Sequence, residues 1–156
     1  MLIKYYKGEP NSYVLSHRNG KLKQHGAGIN FFYLPRTTSI AVIPVSSQDS
    51  PFIFNETTAD YQEVSIQGTL TYRVTEPTEL AKRLDFTISP KTHRYMSEDS
   101  EHLVERLVNS VQAHIRNEIN GLGLEQALTR IKDLAEKVRE NVRNSPELDE
   151  LHVVLE

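Results

Sequence analysis

The side chains best able to do chemistry in this sequence of 156 residues are six histidines: His17, His25, His93, His102, His114 and His152. Metal binding on one helix would need two of them at i, i+4, as in H-x-x-x-H or H-E-x-x-H, and no pair has that spacing. His102 and His114 fall in one helical segment but stand about 18 Å apart at helical rise, too far to share an ion. The six therefore read as solvated or partly buried imidazoles. Gly26-Ala27-Gly28-Ile29-Asn30-Phe31 starts like a dinucleotide-binding loop. Phe31 stands where the third glycine is required, and the segment leads into an extended stretch, so no helix N-terminus is there to receive phosphate. The carboxylates of Glu136…Arg139…Glu140…Arg143 interleave with bases, the pattern of a solvated or partner-facing helix. No G-x-S-x-G elbow is present. Cysteine is absent altogether, which removes thiolate catalysis, disulfides, cysteine-rich zinc sites and S-palmitoylation. The residues thus predict no catalytic site, no metal and no cofactor.

Composition fits one ordinary globular domain. Charged residues make up 25% and hydrophobic ones 38%, and the formal net charge of −3 argues against a general nucleic-acid binder. The charge is uneven: residues 1–59 sum to +3, 60–97 to zero and 98–156 to −6. Lys4 follows Met1 too closely for a secretory signal, Leu2 excludes N-myristoylation, and no apolar run approaches the ~20 residues of a spanning helix. A domain soluble in itself is expected.

The elements that would position any site change grammar at Pro77. Before it the period is two. Leu2–Tyr6 reads as an opening strand, and Tyr13–His17 and Lys21–Lys23 flank Asn19-Gly20, a strong hairpin signal. An extended stretch Ile29–Pro35 comes next, then strands at Thr38–Val45 (with Pro44 marking an edge) and Pro51–Asn55. The longest strand lies within Thr58–Pro77: Val64, Ile66, Gly68, Leu70, Tyr72 and Val74 share one face, and Glu63, Ser65, Gln67, Thr69, Thr71 and Arg73 the other. Gly68 suggests a bulge or sharp coil in that strand. After Pro77 the period becomes helical. A short helix spans Pro77–Leu84, and a connection containing Pro90 leads to a helix opened by Ser97–Glu101. Its stripe is Leu103, Leu107, Val111, Ile115 and Ile119, and Gly121 is expected to close it in the left-handed region. A second helix from about Gly123 would bury Leu124, Leu128, Ile131, Ala135, Val138 and Val142. Leu151–Leu155 reads as a final strand at the end of an excised domain. The fold class is α+β: a mostly antiparallel twisted sheet of about six strands against two C-terminal amphipathic helices, with a returning final strand. Within one domain over 1–156, residues 1–76 form the β-rich part, 77–150 the helical part and 151–156 the last strand.

This order of features resembles the SPFH or Band-7 domain of stomatins, prohibitins, flotillins and the HflK/HflC proteins. The matching pieces are the hairpin around Arg18-Asn19-Gly20-Lys21, Gly26-x-Gly28-x-x-Phe31…Pro35, and Thr58-Ala59-Asp60 feeding the long strand into Tyr72-Arg73-Val74-Thr75-Glu76-Pro77. The helix–Gly–helix and the terminal strand match more loosely. The resemblance implies a non-enzymatic scaffold that lies against a membrane on its cytoplasmic side. It also implies assembly as a homo-oligomer through regions partly outside this chain, and organisation of microdomains or regulation of a membrane protein or protease. Candidate membrane-proximal residues are Lys4, Lys7, Phe31, Phe32 and Arg36, with strand-edge lysines an equal reading for the cations. Candidate partner-facing residues are Thr69, Thr71 and Arg73. The alternative is a soluble protein- or peptide-binding regulatory module without membrane attachment.

Overall fold

The computed structural model describes residues 3–146, 148 and 153–155. Leu151 and His152 of the expected final strand lie outside the described residues, which include its remainder, Val153–Leu155. The chain forms two compact units, each built from two separate stretches: 1–46 with 74–102, and 47–73 with 103–156. The class is α+β with antiparallel strand pairs and the helices in the C-terminal half. The strands are divided among three small sheets.

In the first unit β1 (Lys4–Lys7) pairs with β4 (Asn30–Tyr33), and β2 (Ser12–Arg18) lies between β3 (Lys21–Ala27) and β5 (Thr38–Pro44). Asn19 and Gly20 both have positive φ, 53° and 79°, the type I′ turn whose twist matches the strands it joins. Gly8 is buried and a Cβ there would meet the Ile29 carbonyl oxygen at 2.5 Å, so only glycine allows the two backbones to approach and bond. Tyr6, Val14, Phe31, Tyr33, Ile40 and Ile88 form one buried cluster. Helix α1 (Pro77–Arg83) carries Pro at its start, and Leu80 anchors it. The connection after it is partly extended, bridging Thr87 to Ala41 and Tyr95 to Ile88. Its entry is clasped to the start of α2 (Asp99–Asn120): the Asp85 amide donates to Asp99 Oδ2 at 2.7 Å, and the Ser97 hydroxyl donates to the Asp85 carbonyl at 3.1 Å.

In the second unit β6 (Gln48–Thr57) pairs with β7 (Glu63–Val74) through ten residue pairs without a register shift. The bulge expected at Gly68 is absent. Gly68 sits opposite Phe52, whose ring fills the place of a side chain, and a Cβ there would lie 2.6 Å from the ring. The even face of β7 holds its buried residues (Leu70, Tyr72 and Val74), and most of the odd face is exposed. Glu56 falls by register on the inner face and is buried; it accepts from Gln112 Nε2 at 3.3 Å and from Arg116 Nε at 3.1 Å on α2. The stripe Leu103, Leu107, Val111, Ile115 and Ile119 is buried as its spacing predicts. Gly121 does not take positive φ. The turn is closed instead by the amides of Gly121 and Leu122 bonding back three residues to Glu118 and Ile119, a tightened last turn.

The expected second helix is broken at Arg130 into α3 (Leu124–Thr129) and α4 (Ile131–Arg143). Ala127, Leu134, Val138 and Val142 are buried, and Leu128, Ile131 and Ala135 of the expected apolar face are exposed. Thr58-Ala59-Asp60 is a capping device for α3. The Asp60 carboxylate accepts the Leu124 amide at 3.1 and 3.3 Å and the Thr58 hydroxyl, while the Ala59 amide reaches the Leu122 carbonyl at 2.8 Å. β8 (Val153–Leu155) joins the sheet beside β7.

Two outcomes are expected. Gly68→Val should lower unfolding stability by about 1–3 kcal/mol through overpacking, and by less in a Phe52→Ala background, as a denaturant double-mutant cycle would measure. The Thr58 hydroxyl and the Leu124 amide hold the Asp60 carboxyl below its ordinary value of 3.8. A depressed folded-state value means the stabilisation is complete above the unfolded value and is lost as pH falls through the folded one. Asp60→Asn should therefore lower the urea midpoint at pH 7 and flatten its decline between pH 4 and the acid limit.

Candidate interaction surfaces

Strand alternation decides what the first unit displays. In the β1–β4 ribbon Tyr6 pairs with Phe31 and both face the core, so Tyr5 and Phe32, also paired, must face outward. Their rings lie 4.9 Å apart, and Phe32 is 75% exposed, Tyr5 51% and Ile3 65%. Three large apolar side chains on one ribbon face form a surface patch of the kind that marks a binding site. A shallow depression beside it is lined by Ile3, Phe32 and Leu34 together with Arg18 and Lys23. Aromatic rings next to cations suit a polar–apolar boundary.

The candidate membrane-proximal residues are distributed unevenly. Phe32 is at the centre of this patch, whereas Phe31 belongs to the buried core. Lys4 is tethered, its Nζ donating to the Pro90 carbonyl at 2.9 Å. Lys7 and Arg36 are exposed, but neither lines the depression. Lys23 belongs to the basic residues that the sequence suggests, whereas Ile3, Tyr5 and Arg18 are not among its candidates. The signal for Ile3 and Tyr5 is the parity Ile3–Tyr5–Lys7, masked by the equally aromatic register Lys4–Tyr6. Lys21 and Lys23 lie on β3, an edge strand exposed along most of its length, where lysine also discourages edge pairing.

In the second unit the outer face of β6–β7 carries Thr69 and Arg73 exposed and Thr71 half-buried, its hydroxyl donating to Asp49 Oδ1 at 2.7 Å. Ile53, paired with Gln67 on the same face, is 61% exposed. It is an apolar side chain amid polar ones, and the short strand expected at Pro51–Asn55 does not distinguish it from a core residue. The opposite, inner face is only half-buried over Val64–Gly68, and there a cavity of about 300 Å³ lies between the ribbon and helices α2 and α4.

The five described histidines stay dispersed. Tyr13 OH and His25 Nδ1 are 2.6 Å apart, and His102 lies 3.7 Å from Asp99 one turn away. Among the described residues no three His, Asp or Glu side chains gather to hold a metal ion. No helix of the described residues is long and apolar enough to cross a membrane.

A family model described as SPFH domain / Band 7 family matches residues 6–156. The chain belongs to the SPFH/Band 7 family. A search of curated proteins returned no match. SPFH/Band 7 proteins are membrane-associated and of scaffold type, and the family is generally non-enzymatic. In this member, the hairpin turn Asn19-Gly20 and the capping motif Thr58-Ala59-Asp60, two of the matching pieces, both have structural duties.

Proposed function

We propose that this SPFH/Band 7 domain is a non-enzymatic scaffold module that rests its first unit on an anionic membrane surface and self-associates through its second. The observation that carries the membrane contact is the exposed Tyr5–Phe32 pair with Ile3, flanked by Arg18 and Lys23. Rings of this kind enter the headgroup layer while the cations meet lipid phosphates. Charge supports the same orientation. The first unit holds ten Lys/Arg against seven Asp/Glu, +3, and the second eight against fourteen, −6. An anionic leaflet attracts the one and repels the other.

Self-association is assigned to the outer β6–β7 face, where Ile53 stands among Thr69, Thr71 and Arg73. An exposed apolar residue on an otherwise polar strand face is a suitable anchor for a neighbouring copy.

Co-sedimentation with phosphatidylserine/phosphatidylcholine vesicles tests the first part. Tyr5→Ser with Phe32→Ser should weaken binding about tenfold at every salt concentration. Arg18→Gln with Lys23→Gln should weaken it about thirtyfold at low salt, and little near 1 M, where screening removes the attraction. A wild-type chain that stays in the supernatant at low salt refutes the membrane contact and favours a module acting without membrane. For the second part, Ile53→Lys should lower the mass seen in analytical ultracentrifugation while stability changes by less than about 0.5 kcal/mol. A wild-type protein that is monomeric at high concentration refutes it.

A further inference from the structure

The cavity on the inner face of β6–β7 is partly open, since Ile131, Ala135 and Arg139 of its lining are exposed. It is bounded by Phe52, Ile66 and Leu70 of the ribbon, by Val111 and Ile115 of α2, and by α4. Its volume of about 300 Å³ is at the low end of ligand pockets, which run from about 300 to 1,000 Å³. A methylene is close in size to a water, whose share of liquid volume is about 30 Å³, so the space fits a chain of about ten carbons and no bulky ring system. Gly68 leaves one wall bare except for the Phe52 ring. Leaving such apolar walls without a partner forfeits dispersion contacts, which a ligand would restore.

Arg139 of α4 is part of the lining. It is exposed and makes no ion pair or hydrogen bond with any described residue. Glu136 and Glu140 neighbour it in sequence, yet neither pairs with it. The lining is mostly apolar, with Gln67, Thr69 and Thr71 its other polar residues, and a guanidinium that pairs with no described residue there matches a carboxylate at the end of an alkyl chain.

We infer that this cavity binds a single-chain fatty carboxylate, with the tail among Ile66, Leu70, Val111 and Ile115 and the head on Arg139. This site is in the second unit and does not depend on the membrane contact proposed for the first. Calorimetric titration of the full chain with dodecanoate, dodecanol and dodecyltrimethylammonium, each below its micellar concentration, tests it. Dodecanoate should bind best and the cation worst. Arg139→Gln should cost dodecanoate about tenfold and leave dodecanol unchanged. Ala135→Phe, placed at an exposed position of the lining, should remove binding of all three with the circular dichroism spectrum intact. If that variant fails to fold, the Arg139→Gln comparison decides alone. Equal affinity for the three head groups overturns the inference. So does dodecanoate binding that survives Ala135→Phe in a folded chain. Absence of binding also overturns it, including the case where a second copy fills the cavity and a concentration-dependent dimer is lost in Ala135→Phe.

Discussion

The second unit depends on an unbroken register between β6 and β7, from Gln48 opposite Tyr72 to Thr57 opposite Glu63. With no bulge to change parity, every even residue along both strands stays on one face, and a slip of one place would turn all of them outward. That constraint has several consequences. Phe52, Phe54, Ile66, Leu70 and Tyr72 are gathered on the inner face, where the Phe52 and Phe54 rings stack at 4.7 Å. Glu56 is carried inward by the same parity, and a buried carboxylate needs partners, which Gln112 and Arg116 supply. Arg116 stays half in solvent, so the pair is not fully desolvated and its net contribution is modest. Ile53 is carried outward by the same parity and left exposed among polar residues.

The features legible in the sequence are those that depend on near neighbours. The stripe of α2 and the Asn19-Gly20 turn obey local periodicity and local φ preferences, and both appear where the residues place them. The two-faced character of β7 is equally plain. Pieces that depend on distant partners are not. Asp60 caps a helix 64 residues further on, and nothing near Asp60 in sequence reveals that. Lys4 reads as a surface cation and is tied to a carbonyl 86 residues away. The break at Arg130 uses neither Gly nor Pro, so no breaker announces it. The buried face is not legible either: Leu134 takes the buried place expected for Ile131 and Ala135.

The first unit illustrates a different ambiguity. Tyr5-Tyr6 and Phe31-Phe32-Tyr33 put aromatic residues on both parities, so alternation alone does not say which ring faces water. Tertiary packing resolves it by burying Tyr6, Phe31 and Tyr33 against Val14 and Ile40. Once those rings are inside, geometry leaves Tyr5 and Phe32 no alternative to the outside. A surface patch of this origin needs no flexible loop. It stands on paired strands, and a rigid apolar surface loses little conformational entropy when it meets a partner.

Long-range charge and short-range apolar contact divide the work between the two units. The −6 of the second unit acts over roughly a Debye length, about 8 Å at physiological salt, and disfavours any anion that approaches its surface from afar. A free guanidinium acts at hydrogen-bond distance, where geometry and partial desolvation outweigh a screened background. An anionic amphiphile therefore gains at Arg139 only when its tail is also buried, since neither term suffices alone against the surrounding carboxylates. A bilayer presents many anionic heads at once, and to a unit of the opposite sign. On the proposed reading, the +3 of the first unit adds to Tyr5 and Phe32 at such a surface instead of opposing them.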